Sequence, residues 1–297
     1  MAGVDFSQLT KPSMVEEIDF ESILAERKEK LISLFDSNDQ DQIRQTLQRE
    51  SEPLTKFLEE NAYREVILRN RINNAALSVL LAFAEKTDLD AVVANYGIKR
   101  LLINEATADN DAVYETDDAL RYRASLVFDS LSVAGPTSAY EYHALSADGR
   151  VADAKASSPA PAEALVTILQ NDTETGAATD ALLSIVQSYL NDDVRRPVAD
   201  RLTVQSVDVI PFELTATIFT NNLPESDSLI SAATAAVKKY LDESRRIGRS
   251  IYLSKIYNLL HVSGVVHVVI SSPTADVEIS AVQVAHCTNI TINAGEA

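Results

Sequence analysis

From Pro53 to Ala84 the chain has no glycine and no proline beyond its first position. Nothing in that stretch favours a turn, so it reads as one helix longer than average, with Pro53 in the first turn where a missing N–H is tolerated. Leu68, Ile72, Ala75, Val79 and Phe83 follow steps of four, three, four and four, which places them on one stripe. Glu59 to Glu65 before them is more polar, and Asn70, Asn73 and Asn74 add amides around the second half. A narrow apolar seam with scattered amides fits a bundle whose partners are specified by polar contacts; it also fits an ordinary solvent-facing surface.

The rest of the first hundred residues is also helical in texture. Asp19 stands at a helix start, and Ile23, Leu24, Leu31 and Leu34 recur near helical spacing as far as about Phe35. A shorter helix over Asp88–Tyr96 ends at Gly97, a residue suited to the left-handed turn after a helix. Residues 103–116 are polar, acidic and aperiodic, which predicts a surface loop and a domain boundary.

Beyond the boundary the texture becomes mixed. Helices are expected over Asp117–Leu131 and Pro136–Leu145, then strands over Val151–Ser157 and Ala164–Leu169, divided by Ser158-Pro159-Ala160-Pro161. Thr179 caps a helix whose Leu182, Leu183, Val186, Tyr189 and Leu190 share a face. Alternation at Leu202 and Val204, at Val207 and Val209, and from Phe212 to Ile218 predicts strands, with Pro211 a break or an edge. Glu225 and Asp227 open a further helix with Leu229, Ile230, Ala233, Val237, Tyr240 and Leu241 on its apolar face. Helix Leu253–Leu260 and strands near Val265–Ile270 and Val282–Ile292 complete the chain. The fold class is therefore α+β: an N-terminal helical bundle region over 1–102, then two small α+β sandwich domains in series, 103–201 and 202–297.

Chemistry is constrained mostly by what cannot form. The closest pair among the eight glycines is Gly135 and Gly149, fourteen residues apart. Phosphate-binding loops and nucleophile elbows need two glycines within a few residues, so neither is available. Cys287 is the single cysteine and the four histidines are dispersed, which leaves no local zinc motif, and His286 and Cys287 as strand neighbours would face opposite ways. Asp148 with Asp153, and Asp192 with Asp193, are the carboxylate pairs that acid–base chemistry would need, but acid is abundant enough for chance pairs. No catalytic residue, cofactor or metal is assigned. The formal charge of −18 repels phosphate backbones and anionic lipid, no run approaches the ~18 apolar residues of a membrane helix, and synthesis in the cytosol is expected.

Arginines stand out against this background. Arg195, Arg196 and Arg201 flank Pro197, and Arg245, Arg246 and Arg249 surround Gly248. Their planar forks suit carboxylates of a neighbouring acidic copy, while the second cluster equally suits the dipole at a helix end. With Leu54, Leu58 and the stripe, these are the candidate interface residues.

Several stretches together resemble the baseplate J family of contractile-tailed phages and related tail-like bacteriocins. They are Val15 to Arg27, Glu50 to Leu54, Leu58 to Glu65, Leu131 to Gly135, Ala139 to His143, Ser146 to Asp153, Val194 to Arg201 and Gly248 to Ile251. The resemblance covers almost the whole chain and is weakest near 104–116 and at the last residues. It implies a structural wedge subunit of a tail baseplate, not an enzyme. N-terminal helices would join those of a second copy and a smaller wedge protein, and C-terminal domains would meet adjacent wedges around the hub, near sheath-initiating proteins. A tail-associated cell-wall hydrolase is the alternative, and it would need carboxylates converging in a cleft.

Overall fold

A computed structural model describes residue 6 and residues 9–107, 110–132, 135–220 and 226–295. The chain divides into a helical unit ending at Lys99 and a larger unit beginning at Arg100.

In the helical unit, α1 (Phe20–Ile32) starts where the Asp19 carboxylate accepts from the Ser22 N–H at 2.8 Å. It ends before Phe35, because Ser33 and the residues after it close a turn back onto the last carbonyls. α2 (Gln40–Leu47) has no counterpart in the sequence reading; Ile43 and Leu47 are its only large apolar residues, too few to show a period. α3 (Pro53–Ser78) packs on α1, and its first residue is the proline. It is shorter than the Pro53–Ala84 stretch because 79–83 coil into tighter turns, Phe83 N–H bonding to Leu80 O. Ile23, Leu24, Ile32, Leu47, Leu58 and Ala62 form the core. α4 (Lys86–Ala94) is followed by a turn to Gly97, whose φ of +73° lets Ile98 N–H reach back to Val93 O.

The larger unit opens with a two-stranded antiparallel ribbon, β1 (Leu102–Asn104) and β2 (Val113–Tyr114), inside the stretch read as loop. Strands of three and two residues are too short to display alternation. α5 (Asp117–Ser125), capped by Thr116, stops well before Leu131, and Asp129–Leu131 form a separate 3-10 turn. α6 (Thr137–Ala147) then leads into β3 (Val151–Ser157) and β4 (Glu163–Gln170), an antiparallel pair. α7 (Asp180–Leu190), with Thr179 accepting from Leu182 N–H, carries the chain across to β5 (Arg201–Ser206), parallel to β4. The sheet order is β3-β4-β5, and Val166, Ile168, Leu182, Val186 and Leu190 sit at the centre of its core.

The last third repeats the recipe with a longer central strand. β6 (Asp208–Thr220) runs unbroken through Pro211, pairing in parallel with β8 (Gln283–Gly295) along its whole length. β7 (Val265–Ser272) pairs antiparallel with β6 only from Thr215 onward. Pro211 is tolerated because the other side of β6 is open at that point and no ladder bond is lost. α8 (Ser226–Ser244) and α9 (Leu253–Leu260) cover one face, burying Leu214, Ala216, Ile218, Ala233, Val237, Ile256 and Leu260. The acidic side chains expected at the start of α8, Glu225 and Asp227, lie outside the described residues. Helices first and small mixed sheets after them make the chain α+β.

Candidate assembly surfaces

α3 is covered on one face and open on the other. Thr55, Leu58, Ala62 and Asn73 are buried, and they lie about a third of a turn round the helix from the stripe. Asn73 is the polar anchor of the covered side: its Oδ1 accepts from Glu16 N–H at 3.1 Å and its amide donates to Glu16 O at 2.9 Å. Both polar groups of the amide are satisfied, so burial costs little. Glu65 adds charge to the same side, accepting from Arg27 and from Arg69, which also reaches Glu16. Those bonds, Arg27's first, hold the Glu65 carboxyl below the usual range.

The adjoining face has nothing packed on it among the described residues. Leu68, Ile72 and Val79 are 61%, 66% and 68% exposed, Ala75 is exposed, and Phe57 extends the stripe toward the helix start. Phe83, in the turns beyond the helix, is half-buried. Exposed apolar rows of this extent mark surfaces meant to be covered. Leu54 and Leu58 belong elsewhere: Leu58 is in the unit's own core and Leu54 packs against it. The chain's own α1 covers them, so no companion is needed to bury them.

The arginine clusters also divide. Arg245 donates to Glu174 O at 2.6 Å, and Arg246 lies 3.8 Å from the Asp153 carboxylate and over the Tyr122 ring. Both therefore tie the end of α8 to the β3–β4 sheet. The Asp153 carboxylate also accepts from Ile247 N–H at 2.9 Å, ninety-four residues away, and Leu169, Val207, Ile247 and Val284 pack in one cluster beside it. Burial pushes the Asp153 carboxyl up, against the pull of Arg246 and the Ile247 amide. This joint, which no local pattern in the sequence marks, locks the two sheets together. Arg195 stacks on Tyr189 and bonds to Asp192, and Arg196 donates to Asp200 O, which leaves each partly exposed. Arg201 and Arg249 are exposed, the latter donating to Glu243 O.

A cavity of about 300 Å³ lies between α5, the start of β3 and the end of α8. Its charged walls are mixed in sign, with Asp118, Asp242 and Glu243 facing Arg245 and Arg246, and Glu115 is already paired to buried Arg123 at 2.7 Å. Asp148 and Asp153 do not work as an acid–base pair. Burial acts to raise Asp148, but its bonds to Arg150 outweigh that and leave it below the usual range, while Asp153 faces the Ile247 amide. The Cys287 thiol is pushed up by burial, away from thiolate character. Among the described residues no cluster of three or more His, Cys, Asp or Glu could hold a metal, and no helix is long and apolar enough to cross a membrane.

Comparison with known proteins matches residues 50–107 to the Baseplate J-like N-terminal domain, 132–206 to the Baseplate J-like central domain and 212–293 to the Baseplate J-like protein C-terminal domain. The chain is also 45% identical over 299 residues to Baseplate protein J of Escherichia phage P2, covering 99% of each. The chain belongs to the baseplate J family. A baseplate J protein is a structural component of a phage tail.

Proposed function

We propose that this baseplate J protein is a wedge subunit, held between other subunits and not catalysing a reaction. Its N-terminal helices pack with those of a second copy and of a smaller wedge protein. Its C-terminal domain meets the adjacent wedge, so that wedges close around the central hub and receive the sheath-initiating proteins. Within this scheme residues 1–102 are the bundle region, 103–201 the middle domain and 202–297 the ring-facing domain. The chain is made in the bacterial cytoplasm and joins the tail there.

The observation that supports this reading best is the row Leu68, Ile72, Ala75 and Val79 standing open on a helix whose neighbouring face is already filled. Leaving such a row in water is unfavourable by roughly 25 cal/mol per Å² of apolar surface, and a companion helix recovers it. Phe83, Arg195, Arg196, Arg201 and Arg249 are the flanking contacts.

Co-expression with a smaller wedge protein of the same tail tests the scheme. The wild-type chain should enter a defined heteromeric complex, and Ile72→Asp with Val79→Asp should abolish it while leaving the melting temperature of the isolated chain within a few degrees. A doubly substituted chain that still joins the complex would show that the stripe is not the contact.

A further inference from the structure

The two edges of the C-terminal sheet are unlike those of the other three-stranded sheet among the described residues. In the order β7-β6-β8, neither β7 nor β8 pairs with a second strand among the described residues. β7 reads Val-Val-His-Val-Val-Ile-Ser-Ser and β8 Gln-Val-Ala-His-Cys-Thr-Asn-Ile-Thr-Ile-Asn-Ala-Gly; neither contains Asp, Glu, Lys or Arg. Open edges offer unpaired N–H and C=O groups and are ordinarily guarded by charge or proline. The middle sheet and the first part of β6 are guarded in that way. The stretch of β6 left open by β7 carries Asp208, Pro211 and Glu213, and the edges of the middle sheet carry Asp153 and Lys155 on β3 and Arg201 on β5.

We propose that C-terminal sheets of neighbouring copies join edge to edge, β8 of one copy running antiparallel to β7 of the next. The occupant of each edge is a second copy of this chain. Strand direction selects this pairing: β8 is parallel to β6 and β7 antiparallel, so two copies in the same orientation present β8 to β7 in antiparallel sense. Length agrees as well. Beyond the bulge at Thr288, Thr291–Gly295 and His267–Ser272 run beside the same part of β6, Thr215–Phe219, giving segments of five and six residues. Charge points to a like copy because this chain carries −18, and the uncharged edges are where two copies approach without setting acid against acid. A head-to-tail contact occupies both edges of every copy, whereas β7 with β7 or β8 with β8 would leave one unguarded edge in water; repeated with a closing rotation it makes a ring. The inference rests on the assembly proposed above and supplies its contact between adjacent subunits.

Val269 and Asn293 give the test. Both are level with Thr217, on the outer face of the sheet, and both are exposed. In complete tail particles, with Cys287→Ser in the background, Val269→Cys together with Asn293→Cys should yield a ladder of cross-linked copies on oxidation, and each cysteine alone should not. Dimers from either single variant would mean like edges pair, and no cross-link in intact particles would mean the edges do not meet; either overturns the proposal. A charge pair provides an independent reading. Val269→Lys should lower the yield of complete particles at least tenfold without moving the melting temperature of the isolated chain, and adding Asn293→Glu should restore it. Normal assembly of Val269→Lys while the stripe variant still fails removes the edge contact alone. Normal assembly of both removes the scaffold reading too.

Discussion

The helical unit and the sheet unit dispose of their apolar side chains differently. α3 buries Leu58 and Ala62 on one face and leaves Leu68, Ile72 and Val79 in water on the face beside it. In the sheet unit, Leu182, Ile218 and Ile256 are wholly buried between helix and strand. The sheet unit builds its two cores between helix and strand, whereas the helical unit sets a continuous row of apolar side chains along one exposed helix face, the row that the proposed bundle would cover. The same contrast extends to charge. Glu65 is an ion-paired carboxylate near the surface held below the usual range, and Asp153 is a buried one held above it.

The largest effect expected is in the sheet unit. Leu182→Ala removes a fully buried side chain from the middle core and should cost about 2–5 kcal/mol by chemical denaturation, the range for cavity-forming substitutions. A loss below 1 kcal/mol would show that this core is looser than its burial implies. Next is the joint between the sheets, where Asp153→Ala strands the Ile247 N–H and should cost roughly 1–3 kcal/mol.

The pH dependence of the two carboxylates should run in opposite senses. Asp153, raised in the fold, contributes stability that is complete at acid pH and declines as pH rises through its elevated pKa. Glu65, lowered in the fold, contributes stability present above the ordinary carboxylate range and lost as pH falls through its depressed pKa. Hydrogen exchange on the whole chain should therefore show α1 and α3 loosening toward acid while the Ile247 amide becomes better protected. A parallel response of both would break the comparison.

Smaller again is Asn73→Ala, which leaves the Glu16 peptide without partners and should cost about 1 kcal/mol, seen as faster exchange of the Glu16 amide. The smallest is Ile72→Ala, expected to stay within about 0.5 kcal/mol in the isolated chain because the side chain is already in water. A large loss there would mean that the open face is covered within a single copy.

Much was legible before any coordinates. A stretch without glycine or internal proline marked a long helix, short apolar runs divided by Ser158-Pro159-Ala160-Pro161 marked β3 and β4, alternation marked the second half of β6, and scattered glycines ruled out phosphate loops. These are properties of neighbours along the chain, which one sequence displays directly. The tertiary structure alone decided which face of α3 is covered, sending Leu58 to the core and leaving Leu68 outside. It also turned Arg245 and Arg246 inward onto a joint with Asp153, and set β7 and β8 as edges by placing β6 between them. Periodicity reports that a helix has faces but not what meets them, and contacts between residues ninety positions apart leave no local mark, because their partners are brought together only by the fold.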